Sequence, residues 1–309
     1  MNQYIYDITV VVCSYNPNLK KLISTLKSIV LQKNVKMQVL ISDDGSKVNY
    51  KDEIESFFSD YSTIDYKIII NEKNVGTVNN IYNAIRYATG KYTYIISPGD
   101  YFFSEDVLSK IYCFSEKKNI TIAFGKAQYY SNDGTLRLYN QMDPRSPEIY
   151  NLKWLSKETK KLAYCTNQGI VGACFFRRTD VLLEYINRIK DYSKYDEDNG
   201  TTYVHLLEKN GKINFLNDFV VWYEFGTGIS TSNNQKFLNE LEKDCTRVLQ
   251  LIKNKRNERI IDYMDIKNRS FFRHPILKVK SYLLRILGKI YEYKKFEKTG
   301  NDFFYSIAQ

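Results

Sequence analysis

The 309-residue sequence carries a formal charge of +10, with 43% hydrophobic and 26% charged residues, a balance that suits a globular chain with a sizeable core, as one large domain or two. Its five cysteines, Cys13, Cys113, Cys165, Cys174 and Cys245, are odd in number, widely spread and without CxxC spacing, which argues against a disulfide framework or a zinc site and fits a reducing compartment. No stretch approaches the ~20 apolar residues of a membrane span, and the polar start Met1 to Tyr6 lacks a secretory signal pattern, so a cytoplasmic chain, in solution or attached to a surface, is expected.

Asp7 to Cys13 is a near-continuous β-branched run, the pattern of a buried parallel strand. It ends in the turn Ser14 to Pro17. Asn18 to Gln32 follows as a helix whose apolar face is Leu19, Leu22, Ile23, Leu26, Ile29 and Val30. Met37 to Ser42 reads as a second strand, halted by Asp43-Asp44-Gly45-Ser46, and Tyr66 to Ile70 as a third. A helix from about Val78 to Ala88 closes on Gly90. Tyr92 begins a fourth strand, which breaks on Pro98 and Gly99 and presents Asp100 just past the break.

Strands alternating with amphipathic helices predict a parallel, doubly wound α/β sheet, in which strand ends fall along one edge. Tyr15, Asp43, Asp44 and Asp100 then become neighbours in space. A carboxylate on that edge suits metal-held phosphate, because Mg²⁺ takes one or two carboxylates and leaves phosphate oxygens to complete its octahedron; Pro-Gly-Asp is equally ordinary turn chemistry. The P-loop and the Gly-x-Gly-x-x-Gly fingerprint are both absent from the first turn, which argues against NTPases and NAD enzymes.

Further on, Ser104 to Lys117 reads as a helix, Ile120 to Tyr130 as a strand with Thr135 to Tyr139 as its hairpin partner, and Gln141 to Leu152 as a loop. Gly169 to Arg178 reads as a strand whose glycines serve either packing or close approach of a substrate. Asp196-Glu197-Asp198 precedes a helix, Thr201 to Glu208, that carries the structural histidine His205. An acidic run there complements the helix dipole, or supplies a general base. Gln235 to Lys253 is an amphipathic helix. Between Lys267 and Lys298, ten Lys/Arg stand against two Asp/Glu, so the net charge belongs to this segment and says nothing about the chemistry of the main body. Ile276, Val279, Leu283, Ile286, Leu287 and Ile290 mark one face of a helix there, with Lys278, Arg285 and Lys289 beside or opposite them and Phe271, Phe272, Tyr282 and Tyr291 at its flanks. Such a helix suits an anionic membrane surface, or docks on this domain or a second subunit.

The ordered set Val10-Val-Val-Cys-Ser-Tyr-Asn16, Ile41-Ser-Asp-Asp-Gly-Ser46, Asn74-Val-Gly-Thr-Val-Asn-Asn80 and Tyr94-Ile-Ile-Ser-Pro-Gly-Asp100 resembles the family 2 glycosyltransferases of bacterial polysaccharide assembly, over about residues 7 to 231. The resemblance implies the GT-A fold, a Rossmann-like mostly parallel sheet flanked by helices. It divides residues 1–234 into a nucleotide-sugar-binding half, 1–103, and an acceptor half, 104–234, followed by a helical basic extension, 235–309. It implies that Tyr15 stacks on the nucleobase, that Asp44 accepts the base's ring N–H with Asp43 in support, and that Cys13, Gly76, Asn80 and Gly99 belong to the nucleotide site. Asp100 is implied as the ligand of Mg²⁺ or Mn²⁺. Asp198 is implied as general base, with Glu197 as the alternative.

The family's acidic residue ahead of the metal ligand is here Pro98-Gly99, its histidine before the closing loop Gly226 to Thr231 is Phe225, and Asn199-Gly200 lengthens the spacing after the acidic run. The expected activity is inverting, metal-dependent transfer of a sugar from a UDP-linked donor to a hydroxyl of a lipid-linked glycan acceptor at the inner face of the cytoplasmic membrane, as in capsule synthesis. The alternative is a non-catalytic nucleotide-sugar-binding partner of another transferase. A nucleic-acid partner is not expected, because no RNA-binding signature accompanies the basic tail.

Overall fold

The computed structural model describes residues 4–167, 170–228, 234–265, 273–292 and 300–308. Its centre is a nine-stranded sheet. Strands β1 (Tyr6–Ser14), β2 (Met37–Asp43), β3 (Asp65–Ile70) and β4 (Gly90–Ile96) run parallel in the order β3-β2-β1-β4. Beyond β4 the sheet continues antiparallel through β8 (Phe175–Arg178) to β6 (Ile122–Asn132), then parallel to β9 (Ile213–Glu224) and antiparallel to the two-residue β5 (Tyr101–Phe102). Strand β7 (Leu136–Asp143) pairs with β6 off this path. The result is the expected mostly parallel, Rossmann-like α/β sheet flanked by helices.

The β-branched run Ile8 to Val12 is buried on both faces because helices cover both sides of a parallel sheet. Helix α1 (Leu19–Val30) starts where the Asn18 side chain accepts the Lys21 N–H, and it buries Leu22, Leu26 and Ile29. Helices α2 (Lys51–Ser59), α3 (Thr77–Ile85) and α4 (Val107–Lys118) complete the first half. In the second half, α5 (Lys157–Asn167), α6 (Thr179–Ile189) and α7 (Glu197–Tyr203), extended by a π-helical turn over Val204–Glu208, surround the β6-β8-β9 region. Helix α8 (Gln235–Leu251) packs on α7, and α9 (Glu258–Met264) and α10 (Pro275–Ile290) pack on α5. The last helix, α11 (Asp302–Ala308), returns to the sheet, where Phe304 is fully buried in an aromatic cluster with Tyr101, Tyr130 and Trp222.

Several elements differ from the sequence reading. Gly90 does not cap α3, which ends at Ile85 with Arg86 as its C-cap; it opens β4, where a Cβ would collide with the Thr9 backbone of the adjacent strand. The acidic run does not precede its helix but forms the first turn of α7 from Glu197. The strand ending at Arg178 begins only at Phe175, because Gly172–Cys174 coil into a 3₁₀ turn; Gly169 lies outside the described residues. The 141–152 segment is not all loop: β7 runs to Asp143, and Pro147–Tyr150 form a 3₁₀ turn. Helices α2, α5 and α6 and strands β5 and β9 lie where no element was expected, whereas α9 and α11 fall within the extension expected to be helical. Residues 229–231 of the closing loop, and Phe271 and Phe272 beside α10, lie outside the described residues.

Candidate active site

A cavity of about 730 Å³ opens at the carboxyl ends of β1, β2, β4 and β9, where open α/β sheets bind ligands. Cys13, Tyr15, Asp44, Asn80, Asp100, Glu197 and Asp198 all line it. Asp43, Gly76 and Gly99 do not; they support residues that do.

Asp44 follows β2, and its carboxylate is held by backbone. Oδ1 accepts the Val75 N–H at 2.8 Å and Oδ2 the Gly76 N–H at 3.0 Å, so one side chain fixes the turn into α3. Burial raises the Asp44 pKa, and these N–H donors oppose the shift. Gly76 makes the approach possible with a φ of +88°, and its Cβ would collide with Lys194. Asp43 turns the other way and accepts both the Ser46 N–H, at 2.8 Å, and the Ser46 hydroxyl, at 2.5 Å. Asn80 receives the Ser42 hydroxyl at 2.6 Å. Tyr15 is 55% exposed at the cavity mouth, a ring with a free face, and burial pushes the Cys13 thiol up.

At the end of β4, the turn Ser97-Pro98-Gly99 delivers Asp100 to the cavity floor. There Oδ1 accepts the Glu224 N–H at 2.9 Å. Burial pushes the Asp100 carboxyl up to about 8; the Glu224 N–H opposes the shift, the Glu224 charge adds to it and Lys21 opposes it. Glu224 ends β9, is 3% exposed, and pairs with Lys21 Nζ at 2.5 Å. Gly99, at φ +102°, leaves the space that the Glu224 carboxylate fills. Its carbonyl accepts the buried Tyr130 hydroxyl and its N–H donates to Thr25 Oγ1 at 3.0 Å. Phe225 turns away to stack on Tyr129, with ring centroids 5.5 Å apart.

The far wall is the acidic run. Asp244 on α8, fully buried, accepts the backbone N–H groups of Lys194 at 2.9 Å and Tyr195 at 2.6 Å, and so anchors the loop ahead of α7. Asp196 is buried beside Asp198; burial first, then the charge of Asp198 and a hydrogen bond with it, raise its carboxyl well above the usual range. Glu197 is buried against Arg177, Oε1 to Nη2 3.5 Å, and burial raises its pKa while Arg177 lowers it. Asp198 faces Gly172, where a Cβ would lie 3.3 Å from Asp198 Oδ2. Asp143, at the end of β7, accepts the Val171 N–H at 2.6 Å, and burial pushes its carboxyl up to about 7, with the Asp198 charge adding to the shift.

Glu224, Lys21 and Asp143 are cavity residues that sequence reading missed. Glu224 and Asp143 end strands that carry no motif, and Lys21 looks like a solvated helix lysine. Seven carboxylates and one lysine line the cavity. A diphosphate entering it meets net repulsion unless a cation lies between, and the adjacent Asp100 and Glu224 are hard oxygen donors of the kind Mg²⁺ and Mn²⁺ take. Among the described residues no group of three or more ligating side chains is gathered for a metal, so the remaining positions fall to phosphate and water. The donor set fits a divalent ion held jointly with a diphosphate.

A family model described as glycosyl transferase family 2 matches residues 9–186. Over 130 residues the chain is 32% identical to the "uncharacterized glycosyltransferase MG025 homolog" of Mycoplasma pneumoniae, covering 38% of this chain and 43% of that protein. It is 35% identical to the "uncharacterized glycosyltransferase MG025" of Mycoplasma genitalium over 104 residues, 32% and 34% of the two chains. The matches thus span less than half the length of these curated relatives. Among solved structures, S. aureus TarS 1–349 in complex with UDP-GlcNAc aligns at a TM-score of 0.57 and 15% identity over 94% of this chain and 93% of that one. The mannosyltransferase PcManGT of Pyrobaculum calidifontis, in complex with GDP-Man and Mn²⁺, aligns at 0.54 and 13% identity over 93% and 76%. At these identities the likeness is one of fold, the GT-A architecture.

Proposed function

The chain belongs to glycosyl transferase family 2, and from that premise we propose that it transfers a sugar, with inversion, from a UDP-linked donor to a hydroxyl of a glycan acceptor. The observation that carries this reading is the convergence of Tyr15, Asp44, Asp100, Glu224 and Asp198 on one cavity although they come from five separate segments of the chain. Tyr15 offers a ring face to the base, and Asp44 keeps lone pairs for its ring N–H beyond those its backbone donors use. Asp100 and Glu224 would hold a Mg²⁺ or Mn²⁺ ion, which when bound neutralises charge on the leaving diphosphate. Lys21 adds a fixed positive charge beside them.

Asp198 is the base. It takes the proton of the acceptor hydroxyl as that oxygen bonds the anomeric carbon, and the bond to the diphosphate breaks with its electron pair leaving on the phosphate oxygen. Glu197 is tied to Arg177 and is the weaker candidate. Asp196, whose carboxyl is pushed up by burial and by the Asp198 charge, lies against Asp198 and positions it.

The test is a screen of UDP, GDP and dTDP sugars for metal-dependent hydrolysis. Turnover that Asp100→Ala abolishes supports the enzyme. Donor binding without any turnover supports the alternative, a non-catalytic nucleotide-sugar-binding partner of another transferase.

The acceptor reading, a lipid-linked glycan met at an anionic membrane surface on the cytoplasmic side, is supported by α10. Leu284 is buried and Leu277 and Leu287 pack on the core, but the rest of the expected face remains outside, with Ile276 60%, Leu283 56% and Ile290 66% exposed, and Lys278, Lys280, Arg285 and Lys289 on the same helix. No helix among the described residues is long and apolar enough to cross a membrane. Deleting residues 267–309 would also remove the buried Phe304, so the cleaner test is Ile276→Asp with Leu283→Asp. Sedimentation with phosphatidylglycerol vesicles that is unchanged in this double variant rules the surface out.

A further inference from the structure

Strand β9 joins two cavities of opposite charge. Its carboxyl end, Tyr223 and Glu224, lines the acidic cavity described above; its amino end, Ile213 to Phe215, lines a second cavity of about 480 Å³, roughly 25 Å away along the strand. Six lysines, Lys118, Lys153, Lys157, Lys160, Lys161 and Lys212, line this second cavity, and among the described residues no aspartate or glutamate does. Four of the six, Lys153, Lys157, Lys160 and Lys161, are close in sequence, and the fold adds Lys118 from the end of α4 and Lys212 from just before β9.

Three of these lysines are held by their own surroundings. Lys160 Nζ donates to the Tyr150 carbonyl at 2.7 Å, Lys157 Nζ to the Asn210 carbonyl, and Lys161, 4% exposed, to Asn210 Oδ1 at 2.7 Å and Glu158 at 2.9 Å. Among the described residues Glu158 is the one carboxylate in an ion pair with any of the six, and its side chain is 62% exposed, outside the cavity lining. Lys118, Lys153 and Lys212 stand on the exposed rim, without an ion pair among the described residues. Holding ammonium groups this close costs repulsion: burial first, and the Lys212 charge second, lower the Lys160 pKa. A cavity walled by positive charge and carbonyl-anchored amines is arranged for an anion of more than one charge, whose binding relieves that repulsion.

We propose that this lysine-lined cavity binds a multiply charged phosphate group, such as a diphosphate, at a site separate from the donor cavity. The proposal stands independently of the sugar-transfer reading. Its ligand class follows from charge and size: each lysine is a point-charge donor with three N–H groups, suited to phosphate oxygens, and the cavity is wide enough for two linked phosphates.

The probe is inorganic pyrophosphate, titrated calorimetrically into the full chain with chelator present and no divalent metal. Saturable one-to-one binding is expected, weakening as salt rises and weakened roughly tenfold or more by Lys153→Glu with Lys212→Glu. Both positions are exposed and lie outside helices, and Lys118→Glu alone serves as a second variant, at the end of α4. Lys21→Gln, in the other cavity, should leave the affinity within about twofold. Absence of saturable binding, or binding lost in Lys21→Gln but kept in the lysine reversals, overturns the proposal. Vesicles of phosphatidylglycerol identify the source: displacement of the protein from them by pyrophosphate assigns the site to lipid phosphate, and bound pyrophosphate without displacement assigns it to a soluble one.

Discussion

The backbone N–H of Glu224 donates to Asp100 Oδ1 over 2.9 Å, so the end of β9 brings its own carboxylate to the end of β4. The sequence around Asp100 lacks the acidic neighbour that its family places there; in the folded chain Glu224 stands beside it, in the space that Gly99 leaves. Gly99→Ala would put a Cβ into the Glu224 carboxylate at a φ of +102°. The expected result is a stability loss of about 1–3 kcal/mol with reduced donor hydrolysis. Adding Glu224→Ala should recover part of the stability and none of the hydrolysis. Urea titrations of the single and double variants check this coupling; strictly additive losses would show that the two residues do not compete for space.

Asp198 and Glu197 separate by what each would lose. Asp198→Asn should lower sugar transfer by roughly 10²–10⁴-fold while UDP binding, read by calorimetry, stays within about twofold. Glu197→Gln strips the buried Arg177 of its counter-charge, and breaking such a pair costs about 3–5 kcal/mol. Its signature is a lowered urea midpoint, with residual transfer in the fraction that stays folded. If Glu197→Gln were stable and inactive while Asp198→Asn kept its activity, the two roles would be exchanged.

What could be read before folding was whatever sits in a contiguous motif. Tyr15, Asp44 and Asp100 each follow a β-branched strand within a few residues, so strand and ligand edge were visible together. Glu224 was not, because nothing local marks it; it reaches Asp100 only through the pairing of Tyr101 with Trp222 in β5 and β9. Asp143 was hidden in a stretch whose prolines read as loop, and Lys21 in the polar face of α1. His205 reads correctly as structural: Nε2 lies 2.9 Å from the Lys212 carbonyl and Nδ1 3.2 Å from the Tyr185 hydroxyl. Net charge misled in one respect. With the basic excess assigned to the tail, the main body looked featureless, whereas the fold sorts its charges to opposite ends of β9.

Asp143 makes stability depend on pH. Its carboxyl is pushed up to about 7 by burial and secondarily by Asp198, from the usual 3.8, so the folded state binds the proton more tightly than the unfolded chain. Stability from this group is therefore greatest below about pH 4 and falls as pH rises toward 7, by up to ~1.4 kcal/mol per pH unit. Above that the loss is complete and constant. Asp143→Asn, which cannot ionise, should gain on the wild type across the same window and keep a fixed difference at higher pH. Urea midpoints at pH 5, 6, 7 and 8 test this, and parallel pH profiles for the two proteins would contradict it.

The return of α11 to the sheet ties the C-terminal segment to the cavity that Asp100 lines. Phe304 stacks on Trp222, with ring centroids 4.2 Å apart, and meets Tyr130 edge-on at 5.1 Å; the Tyr130 hydroxyl in turn donates to the Gly99 carbonyl, one residue before Asp100. Asn301 and Ser306 add two ties, both 2.8 Å: Asn301 Nδ2 donates to the Phe103 carbonyl, and the Ser306 carbonyl accepts from Lys27 Nζ. Truncating a fully buried phenylalanine leaves a cavity and costs about 3–5 kcal/mol. Phe304→Ala is therefore expected to lower the urea midpoint and to shift Trp222 emission to the red as water reaches the indole. Donor hydrolysis should fall even where the protein remains folded, since the support beneath Gly99 has been loosened. Unchanged fluorescence and unchanged hydrolysis in this variant would show that α11 is dispensable to the site, and that the chain up to α10 holds Asp100 in place unaided.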